Sequence, residues 1–259
     1  MPSIDIVTVH FGDIMWSERL VRNCLRFHDR KRDPLSIRRL LIVDNERRDA
    51  ARAALESLAD IVRVMSFPTD PRHVRLYGHE HGSAVEQVLR FTEADVVLLL
   101  DNDAHPIVPG YLRTIDVLLA ASDAIAAQDH RSPGSSHPCY MAFRRDCFQP
   151  PLQFDTWEAD HCDIGRSIRR QLEQRGRRVH VASETVPFDG RWGNVFDGIV
   201  YHHGSGSFPY SQRHANMVHP YAAFFADRVL RKRRYALTLA DRLYLAVHSR
   251  WRRIRGLAR

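Results

Sequence analysis

The chain is poor in the features that mark small secreted proteins and membrane proteins. It has four cysteines, Cys24, Cys139, Cys147 and Cys162, none in a Cys-X-X-Cys pair. Neither a zinc ribbon nor a disulfide framework is therefore expected, and a reducing compartment is the default. No apolar run approaches the roughly eighteen residues of a membrane-spanning helix. The N-terminus, Met-Pro-Ser-Ile-Asp-Ile-Val-Thr-Val, passes straight into a strand-like run without a basic leader, which favours a cytoplasmic protein over a secreted one. Internal repeats and low-complexity linkers are absent. His10-Phe-Gly-Asp13 holds a single glycine, where a pyrophosphorylase would show a Gly-rich signature near its first strand. What is present is ordinary for a soluble enzyme: 44% hydrophobic and 27% charged residues in a chain of 259, enough for one large α/β domain.

The net charge of +7 is a local property. Residues 228–259 carry eleven Lys/Arg against one acid, Asp241, a net of +10 that leaves −3 on residues 1–227. Within that stretch Leu239, Leu243, Val247, Trp251 and Ile254 recur at helical spacing, with arginines on the flanks. This predicts a basic amphipathic helix with one aromatic anchor. Such a helix lies on an anionic membrane surface, its arginines near lipid phosphate. The alternative is packing on its own domain, where the Arg stems cover apolar surface. Nucleic acid is the least favoured partner. The expected division is a main domain over residues 1–220 and a basic helical tail over 221–259.

Upstream of the tail, strand and helix patterns alternate. Strands are expected at 4–9, 40–43, 62–66, 96–100, 125–127, 140–143 and 198–201, and helices near 17–28, 47–59, 81–93, 109–121 and 162–175. That order predicts an α/β fold with an open, mostly parallel sheet flanked by helices. Ser132-Pro-Gly-Ser-Ser-His-Pro138 reads as a flexible loop.

The segment Ala94-Asp-Val-Val-Leu-Leu-Leu-Asp-Asn-Asp-Ala-His-Pro106 is the most informative. Its apolar run is long enough for one buried strand and stops at Asp101 and Asp103. A parallel α/β sheet places its ligands there, beyond the carboxyl ends of the strands. Two crowded carboxylates repel unless a cation joins them, and carboxylate oxygens suit Mg²⁺ or Mn²⁺ held together with substrate phosphates. The plain alternative is a solvated turn after a strand.

These residues resemble glycosyltransferases of the GT-A fold, most closely the family 2-like group. Ile6-Val-Thr-Val-His-Phe11 resembles that group's first strand, which includes Val9. Leu41-Ile-Val-Asp-Asn45 is similar to its second, where Asp44 and Asn45 would contact the nucleotide. His81-Gly82, a helix, and Val97-Leu-Leu-Leu-Asp-Asn-Asp103 resemble its third block. There Asp101 and Asn102 would face the donor, and the acid pair would hold the metal. Asp163-Ile-Gly165 resembles the acidic block near the acceptor, and Tyr201-His-His-Gly-Ser-Gly-Ser207 the C-terminal His-plus-Ser segment. The resemblance implies a nucleotide-diphosphate sugar donor, a glycan or lipid-linked acceptor, Mn²⁺ or Mg²⁺, and inversion at the anomeric carbon. It also points to bacterial surface-glycan assembly, with the tail holding the protein on the inner face of the cell membrane.

Metal ligation is assigned to Asp103, with Asp101 orienting metal-bound water or the ribose, and to either His202 or His203. One departure from the family pattern matters. Asp160-His-Cys-Asp163 puts His161 where the resemblance expects the base, so the base stands among Glu158, Asp160, His161 and Asp163. Asp163 is preferred because it opens a helix, whose dipole favours an anion. Trp157 and Trp192 are candidate stacking walls for a sugar. The competing classes are a retaining transferase or nucleotidyltransferase of the same architecture, a phosphohydrolase with an Asp-X-Asp on its first strand, and a non-catalytic phosphate-binding protein.

Overall fold

Apolar runs that do not alternate with polar residues belong to strands covered on both faces, and three such runs form the centre of the main sheet. The computed structural model describes residues 1–12, 14–68, 79–128, 135–154, 165, 167–185 and 194–202. In chain order the elements are β1 (Ser3–His10), α1 (Ile14–Arg26), β2 (Ser36–Asp44), α2 (Asp49–Glu56), β3 (Val62–Met65), α3 (His79–Leu89), β4 (Val96–Leu100) and β5 (Ala104–Pro106). They continue as α4 (Tyr111–Ala121), β6 (Ala124–Gln128), β7 (Ser136–Arg144), α5 (Ile168–Gln174), β8 (Val179–Ala182), β9 (Glu184–Thr185), β10 (Asn194–Phe196) and β11 (Val200–His202).

Seven strands make the main sheet in the order β3-β2-β1-β4-β7-β6-β8. All its pairings are parallel except those of β7, which runs against both β4 and β6. Side chains alternate between the faces with the period of two that a strand imposes. On one face Ile4, Ile6, Ile42, Leu98 and Leu100 pack with Leu20, Val21 and Cys24 of α1 and Leu112 and Ile115 of α4. On the other, Val7, Val9, Val43, Val97 and Leu99 pack with Val85 and Val88 of α3 and Ile168 and Leu172 of α5. Both faces are therefore dry, and this accounts for the unbroken hydrophobic strands.

The N-terminal end of the sheet is closed by a buried ion cluster. Asp5, at 0% exposure, faces Arg38 at 3.6 Å and Arg39 at 3.3 Å. It also accepts the backbone N–H groups of Glu93 at 2.9 Å and Ala94 at 3.3 Å.

A second, antiparallel sheet, β5-β11-β10-β9, sits beyond the other end. Asp197 and Gly198 both have positive φ, 49° and 70°, and Ile199 N–H reaches the Phe196 carbonyl at 2.9 Å. Asp and Gly tolerate this left-handed backbone, and residues 197–199 form the three-residue connection of a hairpin. It fixes the β10–β11 register, Phe196 opposite Val200 and Asn194 opposite His202. β11 in turn pairs with β5, His202 opposite Ala104.

The seven expected strands and five expected helices are all present, with shifted ends. The helix expected at 162–175 is described as Ile168–Gln174. Ser136, His137 and Pro138 open β7, so that part of the expected 132–138 loop is strand instead, because it pairs with β6. β5, β8, β9 and β10 are additional. Each has two to four residues, too short for a periodic signal. The tail over 221–259 lies outside the described residues. Among those described, no helix is long and apolar enough to cross a membrane.

Candidate active site

β4 delivers its acids to the end of the sheet and β5 turns the chain away. The Asp101-Asn102-Asp103 turn is tied down on three sides. Ala104 N–H binds the Asp101 carbonyl at 2.9 Å, Asp101 N–H binds the Cys139 carbonyl on β7 at 3.3 Å, and the Asn102 side-chain amide donates to the Phe11 carbonyl at 2.9 Å. With its backbone held, the turn aims both carboxylates beyond the strand ends. Asp103 is only 4% exposed and Asp101 15%.

Three imidazoles approach these acids from different elements. His202, carried in by the β5–β11 pairing, has Nε2 3.4 Å from Asp103 and 3.7 Å from Asp101. His81, on the first turn of α3, lies 3.8 Å from Asp101, and His137 on β7 lies 3.9 Å from it. His137 and His202 face each other with ring centroids 5.3 Å apart. One ligand atom from each of Asp101, Asp103 and His202 falls within 4.8 Å of the others. Behind them Tyr201 is fully buried, and burial together with the Asp103 charge pushes its phenol far above the ordinary range. It stays protonated.

The fold brings Asp101, Asp103, His81 and His202 together, and the other site candidates among the described residues stand as follows. Val9 is packed in the core on the α3 face. Asp44, 1% exposed, accepts from the N–H groups of Glu46 at 2.9 Å and Arg48 at 2.8 Å, so its carboxylate organises the turn after β2. Asn45 N–H binds the His10 carbonyl at 3.2 Å, which ties that turn to the end of β1. Gly82 is buried in α3, one residue after His81. Glu158, Asp160, His161, Asp163, His203, Trp157 and Trp192 lie outside the described residues.

Sequence reasoning missed His137 and Cys139. The Ser/Gly/Pro composition around them reads as loop, and their place beside Asp101 comes from a strand pairing about forty residues away in sequence. Nothing local marks it. For His202 a usable signal existed, since Asp197-Gly198 between two short apolar runs is a hairpin signature.

No family model and no curated protein matches the sequence. Solved structures match in shape. Mannosyltransferase PcManGT from Pyrobaculum calidifontis, in complex with GDP-Man and Mn²⁺, superposes with a TM-score of 0.51 at 17% identity over 97% of this chain and 80% of its own. The 1–349 form of S. aureus TarS in complex with UDP-GlcNAc gives 0.51 at 14% identity, over 88% of this chain and 70% of its own. The fold is GT-A. A longer S. aureus TarS structure gives 0.52 at 12% identity, and there the match covers 71% of this chain but 35% of TarS. This chain thus corresponds to about a third of that protein. In the GT-A frame the acid turn, His81 and His202 lie beyond the carboxyl ends of β1 and β4, the usual ligand side of such a sheet.

Proposed function

We propose that the protein is a divalent-cation-dependent glycosyltransferase that moves a sugar from a nucleoside diphosphate to an acceptor hydroxyl, with inversion. The observation that carries this is the convergence of Asp101, Asp103 and His202 at the ligand edge of a GT-A sheet. The donor set fits the ion. Two carboxylates and one imidazole are hard-to-intermediate ligands suited to Mn²⁺ or Mg²⁺. Such an ion, when bound, supplies charge neutralisation on a departing diphosphate. PcManGT, of the same fold, was solved with Mn²⁺ and GDP-Man, which supports the same ligand classes here.

The residues then divide the work. Asp103 and His202 would hold the cation, with His203 the alternative to His202, and Asp101 would orient water at that site or the donor ribose. Asp44 and Asn45 shape the β2 turn against which the nucleotide lies. His81 and His137 present polar edges toward Asp101 and the phosphates. Asp163 takes the proton of the acceptor hydroxyl as that oxygen attacks from the face opposite the diphosphate. Asp160 and His161 are the alternatives for this base. The acceptor is a glycan or lipid-linked sugar in bacterial surface-glycan assembly, and residues 228–259 hold the protein on an anionic inner membrane face.

The test is direct. The full chain is incubated with UDP- and GDP-sugars and sugar acceptors, with Mn²⁺ or chelator. Nucleoside diphosphate release and the anomeric configuration of the product are read by NMR. Cation-dependent release with inverted product is expected, and Asp163→Asn should lower turnover by about two to four orders of magnitude at unchanged donor affinity. No release with any donor would overturn the transferase reading, and a retained configuration would overturn inversion.

A further inference from the structure

Beside the acid triad lies a second cluster with different chemistry. One ligand atom from each of His137, Cys139 and His202 falls within 4.8 Å of the others. The cluster is built by an irregularity in β7. Ala126 of β6 pairs with Met141 while the next residue, Ala127, pairs with His137, so residues 138–140 leave that ladder. On the other side Tyr140 keeps its pairing with Leu100. The displaced stretch folds back on itself, with the Cys139 N–H donating to His137 Nδ1 at 3.1 Å. The same Nδ1 lies 3.9 Å from Asp101. Cys139 is fully buried, whereas His137 and His202 are 23% and 13% exposed, so the open side of the cluster is the side of the acid site.

We infer that His137, Cys139 and His202 form a second cation site, for a thiophilic ion of the Zn²⁺ class, which shares His202 with the acid site so that the two cations exclude one another. Two imidazoles and one thiolate are borderline-to-soft donors, the set that selects Zn²⁺ over Mn²⁺ or Mg²⁺. Three protein ligands leave the fourth tetrahedral position for water. Zinc–nitrogen and zinc–sulfur bonds of ordinary length put such donors about 3.5 Å apart, so the cluster needs to close by no more than about 1.3 Å on binding. Cys139 loses its thiol proton to solvent as the ion enters. Exclusion follows from His202, because a neutral imidazole has one acceptor nitrogen. Bound to the thiol side it is lost to Asp101 and Asp103, and Zn²⁺ becomes an inhibitor that displaces the hard cation by taking one of its ligands. The site depends on no transfer reaction; the exclusion alone rests on the proposed hard-cation site.

The experiment is a Co²⁺ titration of the full chain, with Co²⁺ standing in for Zn²⁺ and the thiolate-to-cobalt charge-transfer absorption as readout. Bound Mn²⁺ is followed in parallel by its paramagnetic resonance signal. In the wild type the band should appear and saturate, Zn²⁺ should abolish it by displacement, and Zn²⁺ should also release bound Mn²⁺. Cys139→Ser should lose the band. His137→Ala, at a partly exposed position, should weaken Co²⁺ binding by more than about tenfold, the scale of loss that follows even from changing an outer partner of a metal ligand. Cys24→Ser and Cys147→Ser, in the core away from the cluster, should retain it. Asp103→Asn should keep the band and lose Mn²⁺, whereas His202→Ala should lose the band and weaken Mn²⁺ binding by about ten- to a hundredfold. A band that persists in Cys139→Ser with native circular dichroism, or no band in the wild type, overturns the site. Mn²⁺ that stays bound at saturating Zn²⁺ overturns the exclusion. A wild type that shows the band and binds no Mn²⁺ refutes the hard-cation reading and the exclusion with it, and confirms the thiol site.

Discussion

The two ends of the main sheet each bury carboxylates, and they do so in opposite ways. At the N-terminal end Asp5 is met by the guanidinium groups of Arg38 and Arg39 and by two backbone amides. At the other end Asp101 and Asp103 meet, among the described residues, the imidazoles of His81, His137 and His202 at 3.4 to 3.9 Å. A guanidinium is a permanent cation with fixed donors, so a carboxylate beside it is already compensated and serves the fold. An imidazole is neutral over much of the physiological range and is itself a metal ligand. Carboxylates beside imidazoles together offer a ligand set that a divalent cation could use. Buried acid alone does not distinguish a structural site from a functional one; the chemistry of its partners does.

This contrast is open to attack from either end. The largest effect is expected for Asp103→Ala, which should reduce transfer to background, a loss of about three orders of magnitude or more, while the melting temperature stays the same or rises. Removing one of two crowded acids relieves repulsion in the unliganded protein. Product formation assays and calorimetry on the same preparation check both halves, and near-normal turnover would make the acid turn a structural feature after all.

The mirror experiment is Asp5→Asn. It removes the charge that Arg38 and Arg39 face and weakens acceptors for two backbone amides. It should therefore cost about 2 to 3 kcal/mol of unfolding free energy. Once corrected for the folded fraction, Mn²⁺ affinity should not change. Denaturant titration gives the first quantity and Mn²⁺ binding the second. A variant that is stable but metal-blind would break the division between the two ends.

A smaller effect is expected for His202→Ala, where both acids remain and one ligand is lost. Mn²⁺ affinity should fall by about ten- to a hundredfold, less than the loss in Asp103→Ala. Equal or larger loss in the histidine variant would reverse the ranking and make the imidazole the principal ligand.

The least effect concerns an exposed acid near the N-terminal end. The Ser3 backbone amide, at 2.7 Å, and the Ser3 hydroxyl, at 3.0 Å, hold the Asp95 carboxyl below the usual carboxylate range. A depressed folded pKa contributes stability above the unfolded value, and the contribution is lost as pH falls through the folded one. Asp95→Asn should therefore cost less than about 1 kcal/mol at neutral pH, given its exposure. The difference from wild type should shrink as the solution is acidified below the ordinary carboxylate range. A difference that grows in acid would contradict the assigned hydrogen bonds.

How far the site could be read in advance also differs between parts of the chain. The strands 4–9, 40–43 and 96–100 were legible because burial on both faces demands continuous apolar runs, and the acids were legible because they interrupt one. The expected Asp101, Asp103, His81 and His202 do converge. Asp44 was legible as a residue at a strand end but not as a turn organiser, because which backbone amides a carboxylate accepts depends on the local path of the chain. β5 and β10, with three residues each, show no periodicity of their own, yet β5 and the β10–β11 hairpin set the register that delivers His202. A slip of one residue there would turn that side chain to the other face. His137 and Cys139 were hidden for the same reason: a strand that takes its structure from its neighbours looks like a loop when read alone.

In the proposed function Asp101, Asp103 and His202 bind a sugar nucleotide through a divalent cation. Calorimetric titration of UDP and GDP into the wild-type protein, with Mn²⁺ and with chelator, tests it most directly, and Asp103→Asn is the paired control. One of the two nucleotides should bind the wild type in a Mn²⁺-dependent manner, and this dependence should disappear in the variant. Binding of equal strength with and without Mn²⁺, or the same Mn²⁺ dependence in Asp103→Asn, would contradict it.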